Sequence, residues 1–205
     1  MKENKIIYVG QEERFTNHKY FTGFPHLSLK YAFKKFNISP NEISIVSFAT
    51  KNHEPLWAKS NYVTNFSIED YYDYYGEKYW KKKFLGKNCN QYLNWIFKNK
   101  KFKEINNKFN YNFITPTLIS NEKQRSNKYN EELVKHLKKK LNIRNSEILF
   151  FDHHACHANY SYFASPFRKK KCIVVVLDSI GDSRNQTTWI VTNDKIEILS
   201  SSSQN

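Results

Sequence analysis

Residues 172 to 178 read CIVVVLD, an apolar run without polar interruption that closes on an acidic residue and passes into the turn DSIGD. Three consecutive valines favour extended backbone, because a β-branched side chain is stiff and packs well on a pleated surface. With no polar side to offer water, the run predicts a central strand buried on both faces. Such a strand needs helices packed on it, so the remaining segments must supply them.

They do so in alternation. Lys5 to Val9 (KIIYV), stopped by Gly10, reads as a first strand. Pro25 suits the first turn of a helix, and over residues 26 to 36 Leu29, Ala32, Phe33 and Phe36 recur at helical spacing before the Ser39-Pro40 turn. Ile43 to Ala49 (ISIVSFA) reads as a buried strand. Residues 50 to 130 have another texture, with Tyr and Trp clusters, lysine runs and few aliphatics, and are expected to form irregular helices and loops. Order returns with a helix predicted over 130 to 141, Asn130 as its cap and Leu133, Val134, Leu137 and Leu141 on one face. Glu147 to Phe151 (EILFF) is a strand, and the runs TTWIV and KIEIL near the C-terminus predict an antiparallel meander. The predicted fold class is α/β, a mixed sheet of Lys5 to Val9, Ile43 to Ala49, Glu147 to Phe151 and Cys172 to Asp178 with helices packed on it.

Composition narrows the function classes. At 205 residues with 40% hydrophobic content the chain can bury one domain-sized core. It holds no run of about 18 apolar residues, and its N-terminus lacks a basic region followed by an apolar one, which predicts a cytoplasmic protein and no membrane. Cys89, Cys156 and Cys172 are widely and irregularly spaced, fitting neither a disulfide framework nor a CxxC zinc site. The net charge of +14 raises the question of an anionic partner. The lysines are spread along the chain without an RNA- or DNA-binding motif, so a solvated surface is the simpler reading and nucleic acid is not expected. Aromatics interleaved with lysine in residues 50 to 130 would also suit a single-stranded nucleic-acid platform, but a helical insertion is the plainer reading.

Directly before the valine run stands FFDHHACHANYSYFASPF, residues 150 to 167. If a helix begins near Asp152, His153 and His157 lie four residues apart on one face, as two ligands of one metal ion must, and His154 points elsewhere. Two imidazoles suit Zn, Fe or Mn but leave the shell incomplete, so a further ligand, most simply a carboxylate, has to come from elsewhere in the fold. An ordinary buried helix rich in histidine has the same spacing. The pattern HExxH is absent, which removes the zinc-protease reading. In DSIGD, Asp178 or Asp182 stands where a turn can approach a phosphate, near a metal or an attacking group; the same residues are also ordinary hairpin chemistry.

Three blocks in this order resemble a known family. EERFTNHKYFTGFPHLSLKYAF (12 to 33) is similar to the EERFTRxKHDxxFPxxSIxxCL block of carbamoyltransferases of the NodU/CmcH type, DHHACHANYSYFASPF (152 to 167) to their DHHxxHAxSAFxxSPF block, and VVVLDSIGD (174 to 182) to their VLDGxGE strand and turn. The resemblance implies an ASKHA-type, ribonuclease H-like fold with a Kae1-like domain that binds a metal through an HxxxH pair. It also implies ATP-dependent chemistry: a YrdC-like domain makes carbamoyl-adenylate from carbamoyl phosphate and ATP. The Kae1-like domain then moves the carbamoyl group to a hydroxyl of a small-molecule or sugar acceptor. Carried onto this chain, His153 and His157 are the metal ligands, for Fe, Mn or Zn. Asp178, Ser179 and Gly181 fall in the phosphate-side turn, Asp178 also as a catalytic residue, and Arg14 and Lys19 are cationic residues near the transfer site. Cations there offset charge developing on the phosphate, and a metal or base makes the acceptor hydroxyl a better nucleophile.

The chain departs from the pattern where KHD reads KYF at residues 19 to 21 and where Ser179 and Asp182 replace Gly and Glu in the turn. No HDSSA loop precedes the EERF block, and the chain reaches SSSSQN before the family's third metal ligand and YrdC-like domain. The expectation is a partial, incomplete Kae1-like domain over 1–205, diverged at about 50–130, that does not complete carbamoyl transfer without a separate YrdC-like chain. Lacking its first strand, such a domain exposes a sheet edge. Two other readings are a basic RNA-binding module, with salt-dependent binding and dispensable histidines, and a non-catalytic fragment.

Overall fold

A computed structural model describes residues 5–17, 21, 24–53, 55, 68–88, 113–115, 118 and 121–203. The chain divides into two compact units, Met1–Ile43 with Glu54–Asn145, and Ser44–His53 with Ser146–Asn205.

The first unit is built from helices: α1 (Glu13–Thr16), α2 (His26–Lys35), α3, formed by Ile68–Tyr71, the π-helical Tyr72–Trp80 and Lys81–Phe84 in succession, and α4 (Glu122–Lys140). Lys5 to Val9 is not the strand expected: apart from one bridge at Lys5 the segment is irregular, and Ile6 and Val9 are exposed. A short apolar run makes a strand only where a ladder partner receives it, and here Tyr8 packs on the rings of Tyr31 and Phe36. The buried carboxylate of Glu12 accepts from the N–H groups of Leu27 and Ser28, both at 2.8 Å. It thereby satisfies two of the orphan donors at the positive end of α2, a helix whose own first residues provide no side-chain cap.

Helix α4 begins at Glu122 rather than at 130, capped by Asn121, whose side chain accepts from Gln124 N–H at 3.0 Å. Its first turns are polar and carry no apolar stripe, yet Arg125 and Ser126 are buried there, Arg125 donating to the Leu118 carbonyl at 2.9 Å. Further along, Tyr129, Leu133, His136 and Leu137 form the buried face. The rest of the 50 to 130 segment lies outside the described residues.

The second unit holds two sheets. Strand β1 (Ile45–Phe48) pairs in parallel with β2 (Glu147–Phe150), register Ile45 to Glu147 through Phe48 to Phe150, and the last pair stacks its rings at 5.1 Å. Helix α5 (His153–Phe163) follows β2. Strands β3 (Cys172–Gly181), β4 (Arg184–Thr192) and β5 (Lys195–Ser203) form the antiparallel meander, in the order β3-β4-β5. Its tight turns are two-residue, with both central residues at positive φ: Asp182 and Ser183, then Asn193 and Asp194. That is the twist-matched hairpin geometry. Ala158, Val176 and Trp189 make the buried centre, with Ala155, Val174 and Ile196 packed against it.

Two expectations fail here. Among the described residues strand β3 is not central and not buried on both faces: it is an edge of the meander, and Ile173, Val175 and Leu177 are exposed while Val176 is buried beneath α5. Nor do the strands join in one mixed sheet among the described residues, where the parallel pair and the meander are separate. No helix among the described residues is long and apolar enough to cross a membrane.

Two predictions concern the first unit. Glu12→Ala should lower stability by about 1 to 3 kcal/mol in denaturant unfolding, because two helix N–H groups lose a charged acceptor. His136 is nearly buried, its Nε2 lies 3.1 Å from Nε2 of His26, and its pKa is lowered from 6.5 to about 4 by burial, then by His26 and Lys140. The native ring therefore stays neutral while the unfolded chain takes up a proton, so stability should fall as the pH drops from 6.5 towards 4. Thermal unfolding across that window should show the loss, and His136→Gln should flatten it.

Candidate metal centre

Helix α5 starts where it does because Asp152 caps it: Oδ1 accepts from Ala155 N–H at 2.9 Å, and Oδ2 pairs with the Arg184 guanidinium. The helix then sorts its three histidines by periodicity. His154, Ala158 and Tyr162 share the buried side. His154 is fully buried, with Nε2 3.2 Å from the Arg184 carbonyl and Nδ1 3.0 Å from Thr187 Oγ1, which itself accepts from the Trp189 indole N–H at 2.7 Å. It is a satisfied core residue, pointing away from His153 and His157 as the spacing implied.

His153 and His157 emerge on the other side, one turn apart, with their Nε2 atoms 3.0 Å from each other. Nε2 of His153 is 2.8 Å from Asp178 Oδ2 and that of His157 is 3.8 Å from the same oxygen. Asp178 can reach them because the β3–β4 register breaks between Leu177 and Gly181, releasing residues there from regular pairing. Its second oxygen accepts from the Ser179 N–H at 2.6 Å. Burial acts to raise the Asp178 carboxyl, but its contact with His153, the Ser179 N–H and the neighbouring His157 outweigh it, and its pKa is lowered.

Among the described residues, His153, His157 and Asp178 form the group of potential ligands, their donor atoms all within 4.8 Å of one another. Nδ1 of His153 lies 2.8 Å from the Ala49 carbonyl, to which it can only donate, so in the neutral ring Nε2 presents a lone pair towards Asp178 and His157. A carboxylate oxygen and imidazole lone pairs this close need a proton or a cation among them. The donor set, two imidazole nitrogens and a carboxylate, fits Zn, Fe or Mn.

Gly181 has a packing role here: a Cβ at that position would stand 2.2 Å from Cδ2 of His153 and 3.0 Å from Asp178 Oδ2. The hairpin reading of DSIGD is also realised, at Asp182 and Ser183, so one short segment makes both a turn and a wall of the site. Ser179 is exposed beside Asp178. Arg14 is exposed on α1 in the first unit, and Lys19 lies outside the described residues. Burial, with Asp152 and Asp182, pushes the Cys156 thiol up and so keeps it protonated. The residues that sequence reasoning passed over are Ala49 and the turn Thr50 to Asn52, which carry no chemistry of their own in the sequence and matter only through their backbone.

The chain belongs to the carbamoyltransferase N-terminus family, whose sequence model matches residues 1–203. A stretch of 61 residues, 30% of the chain, is 34% identical to an uncharacterized protein of Methanocaldococcus jannaschii. That stretch spans 10% of the relative's length.

Gly181→Ala should push the His153 ring from its place, seen as displaced His153 signals in histidine-labelled NMR spectra. Gly76→Ala, where a Cβ meets nothing within 4 Å, should leave them unchanged.

Proposed function

We propose that the chain is the metal-binding part of an ATP-dependent O-carbamoyltransferase of the NodU/CmcH type, with a Kae1-like, ASKHA-type fold. The observation that carries this is the convergence of His153, His157 and Asp178 within 4.8 Å, in a chain of the carbamoyltransferase N-terminus family. The parallel β1–β2 pair, the helix bearing the two histidines and the antiparallel meander after it support the fold reading.

In this reading His153, His157 and Asp178 hold Fe, Mn or Zn. Such an ion, when bound, supplies a Lewis acid that polarises oxygen ligands. Asp178, proposed from the sequence as a catalytic residue, acts here by holding charge: its carboxylate offsets part of the cation and fixes the third corner of the site. Carbamoyl transfer forms a bond between the acceptor hydroxyl oxygen and the carbamoyl carbon and breaks the mixed anhydride, so negative charge grows on the departing adenylate phosphate. Arg14 and Lys19 are the proposed cations for that phosphate, and Ser179 and Gly181 the proposed phosphate-side turn. Carbamoyl-adenylate would come from carbamoyl phosphate and ATP on a YrdC-like partner. Asp178 amends the ligand set drawn from the resemblance, which looked for the third ligand beyond the chain.

Titration of Zn2+, Mn2+ and anaerobic Fe2+ into the purified chain should show stoichiometric binding. His153→Ala, His157→Ala and Asp178→Ala should each weaken it by more than the roughly 10- to 100-fold that loss of an outer partner costs. Adding a YrdC-like partner, ATP, carbamoyl phosphate and a hydroxyl acceptor should give turnover that the chain alone does not. Full turnover by the reconstituted His153→Ala variant would remove the metal from the mechanism.

A further inference from the structure

Asp182 lies outside the three candidate ligands yet touches both supports of His153. It occupies the first position of the β3–β4 turn at φ 50 and is 6% exposed. Its Oδ1 accepts from the Thr50 hydroxyl at 2.5 Å and from the Asn52 N–H at 2.8 Å. The Lys51 N–H lies 3.0 and 3.1 Å from its two oxygens, and Oδ2 accepts from the His153 N–H at 2.7 Å. The turn gathered in this way directly follows Ala49, whose carbonyl faces Nδ1 of His153 at 2.8 Å. One carboxylate thus holds the His153 backbone directly and the His153 ring through the residue that precedes the turn.

We propose that Asp182 is the positioning residue of the site: it keeps the Ala49 carbonyl on Nδ1 of His153 and so aims the Nε2 lone pair at the metal position. The inference rests on the metal reading of His153, His157 and Asp178. Its physical basis is a competition. A neutral imidazole has one N–H, and two acceptors contend for it, the Ala49 carbonyl at Nδ1 and the Asp178 carboxylate 2.8 Å from Nε2. A hydrogen on Nε2 would point a donor at the place where a cation must sit. The carbonyl wins only while the 50–52 turn is drawn onto Asp182, which is how an outer hydrogen bond fixes a ligand's tautomer and direction.

The test compares the full chain with Asp182→Asn and Thr50→Val. Asn keeps the shape and tolerates positive φ, but its amide accepts on one side only, so an oxygen turned to residues 50–52 leaves an NH2 against the His153 N–H. Zn2+ should bind Asp182→Asn about 10- to 100-fold more weakly than the unaltered chain, and Thr50→Val more weakly by a smaller factor. The Co2+-loaded chain should show a shifted ligand-field spectrum in Asp182→Asn, a change of geometry that loss of general stability does not produce. Without metal, 15N spectra should show the His153 proton on Nδ1 in the unaltered chain and its loss from Nδ1 in Asp182→Asn. A folded Asp182→Asn with unchanged Zn2+ affinity and an unchanged Nδ1 signal overturns the proposal. If that variant does not fold, the same two results for Thr50→Val overturn it. An unaltered chain that binds no metal ends the metal reading, and the Nδ1 signal then decides the role of Asp182 by itself.

Discussion

A carboxylate taken out of water anchors the second unit. Burial alone would drive Asp182 towards its neutral form, and a buried charge persists only where donors replace its hydration. Thr50, Lys51, Asn52 and His153 supply those donors, and the pKa of the group is lowered despite its burial. The exit of β1, the first turn of α5 and the hairpin after β3 are thereby tied at one point. The clearance that Gly181 gives the His153 ring and the approach of Asp178 both depend on that hairpin staying where it is.

The helix that carries the histidines shows how one short sequence serves two purposes. Three imidazoles fall within five positions, and helical periodicity sends one inward and two outward. The inward ring is held by Thr187 and the Arg184 carbonyl, next to the cluster of Ala158, Val176 and Trp189 that seats α5 on the meander. The outward rings therefore stand on a helix whose opposite side is packed and capped. Their 3.0 Å separation is a consequence of that rigidity as much as of their own spacing.

Legibility followed the range of the interaction concerned. The helix at α2, the existence of strands β1 and β2, the antiparallel meander and the partition of His153, His154 and His157 were readable, since each rests on the pattern of a few neighbouring residues; that β1 pairs in parallel with β2 and is only partly buried was not. The start of α4 was missed because its buried residues there, Arg125 and Ser126, are polar and leave no apolar stripe to read. Lys5 to Val9 and CIVVVLD misled in the same manner. Apolar content measures a preference for burial, whereas a strand and its place in a sheet need neighbours, and β3 has one only on the β4 side among the described residues.

By itself, then, the sequence determined most of the local elements, the family blocks and the placing of His153 and His157 on one helix face, because those are relations between residues a turn or a strand apart. Only the tertiary structure decided that Asp178 is the carboxylate facing them, that Gly181 must lack a side chain, and that Asp182 gathers the turn after β1. The contacts responsible join residues 25 to 132 positions apart, Asp178 to His153 and Asp182 to Thr50. No local period encodes such a pair; the packing of α5 on the meander and the register break in β3 bring its members together.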